Sequence, residues 1–165
     1  MPVSVRVATD LDLAAVAAIY EREVHTGVAT FDEEPPGPDA WLAKLRSIDP
    51  GDHFLVADVD GSVVGYAYST AYRTRTAYRH TRETTVYVAP DVIGQGIGQS
   101  LYDGLLARLR ADGMRTALAA IALPNPASQA LHEKAGFVHL GTMREVGFKF
   151  GRWIDVGWWQ LLLQP

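Results

Sequence analysis

One segment limits the possible folds of this chain more than any other. Residues 84–98 read Thr-Thr-Val-Tyr-Val-Ala-Pro-Asp-Val-Ile-Gly-Gln-Gly-Ile-Gly, and an amphipathic stretch follows from Gln99 to Ala111, stopped by Gly113. A β-branched strand therefore feeds a glycine loop, and the loop feeds a helix N-terminus. Glycines let the backbone approach an anion closely, and the free N–H groups of the first helical turn point at it, aided by the helix dipole. The pattern is a pyrophosphate cradle formed by Gly94, Gln95, Gly96, Ile97, Gly98 and Gln99. The plain alternative is a glycine-rich helix entry that binds nothing. Two phosphate ligands are excluded. A P-loop needs Lys-Ser/Thr after its last glycine, whereas Gln99-Ser100 follows Gly98; a dinucleotide fingerprint needs G-x-G-x-x-G, whereas the spacing here is G-x-G-x-G.

The rest of the pattern places this unit in a mixed α/β arrangement. Alternation predicts strands over 3–8, 53–59, 62–72, 82–89 and 115–122, and a final pair over 137–150 and 153–163 turning at Gly151. Asp60-Gly61 is a hairpin turn signal. Thr9 or Asp10 caps a helix through about Glu23, Pro38-Asp39 opens a second, and Asn125 opens a short helix that ends at Gly136. Glu33-Glu34-Pro35-Pro36-Gly37-Pro38 is too short for an interdomain linker and reads as a rigid loop. One mixed sheet with helices on both faces follows, in a single domain over residues 1–165.

Composition removes several function classes. With 165 residues and 0 Cys, disulfides, thiolate catalysis and cysteine zinc sites are excluded. The net charge of −4, without a basic run, disfavours nucleic acid as a partner. No apolar run reaches the ~18 residues needed to span a membrane, and the first residues lack the apolar core of a signal peptide, so a cytoplasmic location is the expectation.

The cradle resembles the acyl-CoA signature of the GCN5-related N-acetyltransferase superfamily, Gln/Arg-x-x-Gly-x-Gly/Ala after a Val-x-Val strand. Val86-Tyr87-Val88 and Gly96-Ile97-Gly98 match it, while Ile93 stands where Gln or Arg is usual. Further strings resemble the phosphinothricin and methionine sulfoximine acetyltransferases. They include Thr30-Phe31, Gly65-Tyr66-Ala67-Tyr68, Ala77-Tyr78, Leu123-Pro124-Asn125, Leu131-His132-Glu133 and Val146-Gly147-Phe148-Lys149-Phe150-Gly151-Arg152-Trp153. The likeness runs from about Arg6 to Leu163.

The resemblance implies a mostly antiparallel mixed sheet, splayed where acetyl-CoA lies along Val86, Tyr87, Val88 and Ala89, with Asn125 and Ser128 against the pantetheine arm. It implies direct transfer of acetyl to the α-amine of a small amino acid, without a metal, with Glu83 as general base and Val86 or Val88 N–H holding the carbonyl oxygen. His132 falls where the wider superfamily has a tyrosine acid; proton transfer and simple packing both fit it. Thr84, Thr85 and Val86 line the substrate side. Arg73, Thr74 and Arg75 recognise an acidic acceptor or form a solvated loop edge; Phe31, with Thr30, walls the acceptor or packs in the core. A homodimer is implied, with the C-terminal hairpin near the subunit contact and one of Trp158 and Trp159 in the core. Two rival functions remain: transfer to another amine (a peptide N-terminus, a polyamine, an aminoglycoside) and an acyl-CoA sensor without turnover.

Overall fold

The computed structural model describes residues 2–164. Seven strands form one sheet: β1 (Ser4–Val7), β2 (Phe54–Val59), β3 (Ser62–Ala71), β4 (Thr81–Val88), β5 (Thr116–Leu123), β6 (Val138–Lys149) and β7 (Arg152–Leu162). Four helices join them: α1 (Leu13–Thr26), α2 (Pro38–Leu45), α3 (Ile97–Ala111) and α4 (Pro126–Lys134). The spatial order is β1-β2-β3-β4-β5-β7-β6, and every neighbouring pair is antiparallel except β4 with β5. The mixed, mostly antiparallel sheet with helices on both faces is as the sequence predicts.

Alternation along the strands divides the core into two layers. Leu55, Ala57 and Ala67 face α3, whose Ile97, Leu101, Leu105, Leu106 and Leu109 are buried against them. Phe54, Val56 and Tyr66 face the other way, into a layer with Val16 of α1 and Trp41 of α2. Trp159 belongs to the α3 layer. Trp158 is half-buried on the opposite face, edge-on to Tyr72 with ring centroids 6.2 Å apart.

Element ends move slightly from the sequence expectation. Asp10–Asp12 form a 3-10 turn, so α1 starts at Leu13; Asp12 is held by Arg6, and that ion pair keeps its carboxyl low, at about 2. Helix α3 starts two residues early, at Ile97, behind an N-cap Gly96 in a left-handed conformation (φ 81°) that glycine adopts without strain. The predicted turns at Asp60-Gly61 and Phe150-Gly151 carry positive φ at both residues, the twist that a two-residue hairpin needs.

A cation fixes one end of β4. Arg82 is 2% exposed; it donates to Asp52 (2.8 Å), Asp49 (2.6 Å) and the Pro50 carbonyl, and so ties the loop before β2 to the strand that carries Glu83. Removing one member of such a buried ion group strands the other charge. Arg82→Ala should lower the unfolding free energy by about 3–5 kcal/mol in urea titrations. Asp49→Ala should cost less, because Asp49 is half exposed.

Candidate active site

The site begins with a fault in the sheet. β4 and β5 pair over only three positions, ending at Glu83 opposite Leu118, while β4 stays paired with β3 as far as Val88 opposite Gly65. Beyond Glu83 the two strands diverge into a fork. The Ala89 N–H goes to Val64 O on β3, so by strand alternation Val86 and Val88 turn their N–H and C=O groups into the fork. On the other arm Arg115 O accepts from Leu163 N, which turns the amides of Ala120 and Ala122 inward likewise. A cleft of about 850 Å³ runs through the fork. Its walls include Val86, Tyr87, Val88, Ala120 and Ala122.

The glycine loop closes the wide end. Gly94 and Gly96 have φ of 84° and 81°, and both line the cleft with Ile97, Gly98 and Gln99. The α3 ladder begins with Ser100 N–H on Gly96 O (3.0 Å), so the N–H groups of Ile97, Gly98 and Gln99 lie outside it, and no side chain caps them. These donors and the positive helix end suit a phosphate group. Ile93 is exposed at the mouth. Gly98 has a further reason: a β-carbon there would lie 2.9 Å from Leu131 Cδ2, so glycine lets α4 pack against α3. Asn125 caps α4, its Oδ1 accepting from Ser128 N (3.1 Å), which leaves its amide NH2 available as a donor in the cleft.

At the vertex of the fork stands Glu83, half-buried on the cleft wall, with no hydrogen bond or ion pair among the described residues. Burial raises its pKa above the usual carboxylate value, because the charged form is poorly solvated. Thr85 follows on the same face and lines the cleft. Tyr68, which the sequence reading left without a role, packs nearby; burial and then the Glu83 charge raise its phenol pKa. Thr84 points to the α3 side, where its hydroxyl lies 3.2 Å from Leu118 O and 3.1 Å from the Tyr102 hydroxyl.

His132 is more confined than the sequence suggests. Its Nδ1 is 2.7 Å from Ser128 O, which can only accept, so Nδ1 carries the proton. Its Nε2 therefore accepts from the Tyr102 hydroxyl at 2.7 Å. Both nitrogens are engaged within the protein while the residue also lines the cleft, so a proton that it passes moves along one of these two bonds. Burial lowers the His132 pKa and keeps the ring neutral, with the Ser128 carbonyl opposing this in part. Tyr102 is fully buried, its pKa raised by that burial. In the sequence it looks like one more core position of α3, because the leucine stripe of the helix hides it.

On the β6–β7 side of the open fork, Thr30 and Phe31 line the cleft with Met143, Val146 and Val156, the last of which pairs with Ala122. Thr30 is buried and hydrogen-bonded to Tyr20 (2.6 Å); Phe31 is 41% exposed, so the wall reading fits it better than the core reading. Arg73, Thr74 and Arg75 do not line the cleft. They are exposed on the β3–β4 connection, with the Arg73 guanidinium 5.0 Å from the Tyr72 ring. Thr70 pairs with Glu83, so this loop leaves the sheet at the Glu83 end.

A split parallel pair with a glycine-capped helix at its mouth defines a protein that takes an extended, phosphate-ended ligand between two strands. The profile of the acetyltransferase (GNAT) family matches residues 16–137, and the chain belongs to that family of enzymes. Among curated proteins it is 48% identical to the phosphinothricin N-acetyltransferase of Alcaligenes faecalis, over 92% of this chain and 78% of that one. It is 40% identical to an L-methionine sulfoximine/L-methionine sulfone acetyltransferase of Pseudomonas paraeruginosa, over 100% of this chain and 97% of that one. A crystal structure of a phosphinothricin acetyltransferase from Sinorhizobium meliloti in complex with AcCoA superposes with a TM-score of 0.93. It shares 40% identity, with 98% of this chain and 89% of that chain covered.

The vertex network gives a spectroscopic prediction. Long-range 1H–15N spectra should show His132 as a neutral Nδ1–H tautomer with no titration near the ordinary histidine value of about 6.5. Because the folded pKa is depressed, His132 should cost stability only as pH falls below that value. Tyr102→Phe should raise the His132 pKa, since it removes the donor that favours the neutral ring.

Proposed function

We propose that the protein is an acetyl-CoA-dependent N-acetyltransferase for the α-amine of a small amino acid such as phosphinothricin, methionine sulfoximine or methionine sulfone. The observation that carries the reading is the unpartnered Glu83 at the vertex of a fork whose open edges are backbone donors and acceptors. Bound acetyl-CoA supplies a thioester whose carbonyl carbon the amine attacks. Val86 and Val88 offer amides to hold the pantetheine as an added strand and to receive the carbonyl oxygen. Gly94, Gln95, Gly96 and the first turn of α3 hold the pyrophosphate, and Asn125 and Ser128 meet the arm. All of this lies within one domain over residues 1–165.

An ammonium has no lone pair, so the acceptor must lose a proton before or during attack. Glu83 takes one proton, directly or through water; the C–N bond forms, the C–S bond breaks, and the leaving thiolate takes the second proton shed by the new amide nitrogen, so that CoA leaves as the thiol. Nothing in this sequence of events calls for a metal or a covalent enzyme intermediate. His132 keeps both of its readings here: the neutral, twice-bonded ring fixes α4 against the vertex, and its bond to the Tyr102 hydroxyl is a path for a proton. Thr84, Thr85 and Val86 line the transfer point and Thr30 and Phe31 wall the acceptor side chain, while Arg73, Thr74 and Arg75, outside the cleft on the connection that leaves the sheet at the Glu83 end, are proposed to meet its acid group on binding. The family relationship to enzymes named for phosphinothricin and methionine sulfoximine supports these acceptors.

We further propose a homodimer joined through the β6–β7 hairpin. Phe148 on the long edge strand, Phe150 in its turn and Trp153 at the start of β7 are exposed there, with Val146 beside them. An edge strand with this much apolar surface is an aggregation hazard unless covered, and a second copy covers it. The cytoplasm, where acetyl-CoA is available, is the location we propose.

Two measurements test these proposals. Release of CoA thiol should be saturable with phosphinothricin, methionine sulfoximine or methionine sulfone, and Glu83→Gln should lower kcat by about 10²–10⁴-fold without loss of acetyl-CoA binding. Turnover with a cationic acceptor alone would remove the assigned role of Arg73 and Arg75, and tight binding without turnover would favour a sensor. Activity should rise with pH through the raised Glu83 pKa, since the base must be ionised. A raised folded pKa stabilises the fold only at low pH, so Glu83→Gln should be as stable as the parent or more so at pH 7, and lose that advantage towards pH 4. In light scattering, the parent should run at twice the chain mass, and Trp153→Glu with Phe148→Glu should run as the monomer.

A further inference from the structure

The acceptor wall is not self-supporting. Thr30 and Phe31 sit on a connection after α1 that has no regular structure over 27–37. From one side it is held by α1 and β4: Glu23 Oε1 accepts from Ala29 N (2.9 Å), and the Tyr87 hydroxyl donates to Ala29 O (3.1 Å). From the other side it is held by β6, through two alternate residues that share a strand face, Gly147 and Lys149.

Lys149 is 2% exposed, yet it has no carboxylate partner among the described residues. Its ammonium donates to Gly27 O (2.9 Å) and Thr30 O (3.0 Å) and lies 5.0 Å from the centroid of the Phe150 ring. A buried cation is expensive unless its donors are used, so this one is strongly committed to those two carbonyls. They bracket the segment that ends at the cleft. Gly147 contributes an absence: a β-carbon there would overlap the Phe31 ring, so the ring occupies the space that any other residue would fill. The φ of Gly147 lies outside the left-handed region, so only space demands glycine there. Just before it the ladder with β7 slips between Met143 and Gly147, and Met143 and Val146 line the same side of the cleft.

We infer that Gly147 and Lys149 determine which acceptors the enzyme takes, by seating Phe31 in a slot on β6 and tethering the loop that carries it. The inference rests on the reading of this side of the cleft as the acceptor site. Neither residue touches the transfer point. Gly147 sets where the wall stands, and Lys149 sets how firmly it stands there.

The test uses Gly147→Ala, Lys149→Met, Phe31→Ala and the Gly147→Ala/Phe31→Ala pair, each assayed with acetyl-CoA and acceptors of graded side-chain length. Gly147→Ala should change the ratio of kcat/KM between the shortest and longest acceptors by at least about tenfold, the scale on which a pocket reads a methylene. Lys149→Met should raise the acceptor KM by about tenfold while the acetyl-CoA KM stays within about twofold. In the Phe31→Ala background, Gly147→Ala should have no further effect on the ratio, because the overlap is gone. An unchanged ratio, equal shifts in both KM values, or a Gly147 effect that survives loss of Phe31 overturns the proposal. Hydrogen exchange on the intact chain reads the tether without turnover. Lys149→Met should speed exchange at 27–32 and leave α3 unchanged, and no local change would overturn it. If the parent acetylates none of the acceptors, the acceptor reading fails and takes the selectivity with it, while exchange still judges the tether.

Discussion

Three residue pairs of parallel ladder, ending at Glu83 opposite Leu118, are the constraint on which the rest of the structure depends. Had pairing continued, Val86, Val88, Ala120 and Ala122 would have spent their hydrogen bonds on each other and no cleft would exist. The divergence leaves these groups to solvent or to a ligand, and a buried backbone group without a partner costs about as much as a lost hydrogen bond. Both outer flanks are secure: β4 stays on β3 through Val88, and β5 pairs with β7 over its whole length. The sheet is thus firm on either side of its own gap. At the vertex, Thr84, Tyr102 and His132 join β4, α3 and α4 through hydroxyl and imidazole contacts of 2.7–3.1 Å, with Leu118 O at 3.2 Å.

The chemistry exploits the same gap. Arg82 and Glu83 are neighbours on β4 and point to opposite faces. Arg82 is neutralised by Asp49 and Asp52, whereas Glu83 has no cation to stabilise it. Its raised pKa is the direct consequence of burial without a partner. An ion pair would hold the carboxylate ionised and make it a weaker base. The fold thus accepts a local destabilisation where proton transfer is required, a frequent compromise at working sites.

Much of this was legible from residue order because it is local. Glycine at 94 and 96 reports positive φ, Asp60-Gly61 reports a hairpin, Asn125 reports a cap, and strand alternation separates Glu83 and Thr85 from Thr84 and Val86. The likeness to relatives pointed to Glu83 and the cradle before any geometry was known. Other assignments depended on partners far away in sequence. Tyr102 reads as a leucine-stripe position until His132 is placed beside it. Gly98 reads as a phosphate glycine, yet a β-carbon there would also press on Leu131 of α4, 2.9 Å away. Alternation puts one of Trp158 and Trp159 in the core without saying which; the structure buries Trp159 and leaves Trp158 against Tyr72. Lys149 reads only as one member of a string shared with the relatives, because nothing local announces that two carbonyls 119 and 122 residues earlier will surround it.

The amino-acid order by itself determined the element sequence, the two-faced strands, the turn positions and the glycine-capped start of α3. Each of these follows from φ preference and side-chain period within a few residues. Tertiary structure alone decided where β4 and β5 part, that His132 is held neutral with both nitrogens occupied, that Glu83 is left without a partner, and that Phe31 lies in the slot of Gly147. Those facts are differences in solvation and reach between segments distant in the chain. They come into being only when the sheet brings the segments together.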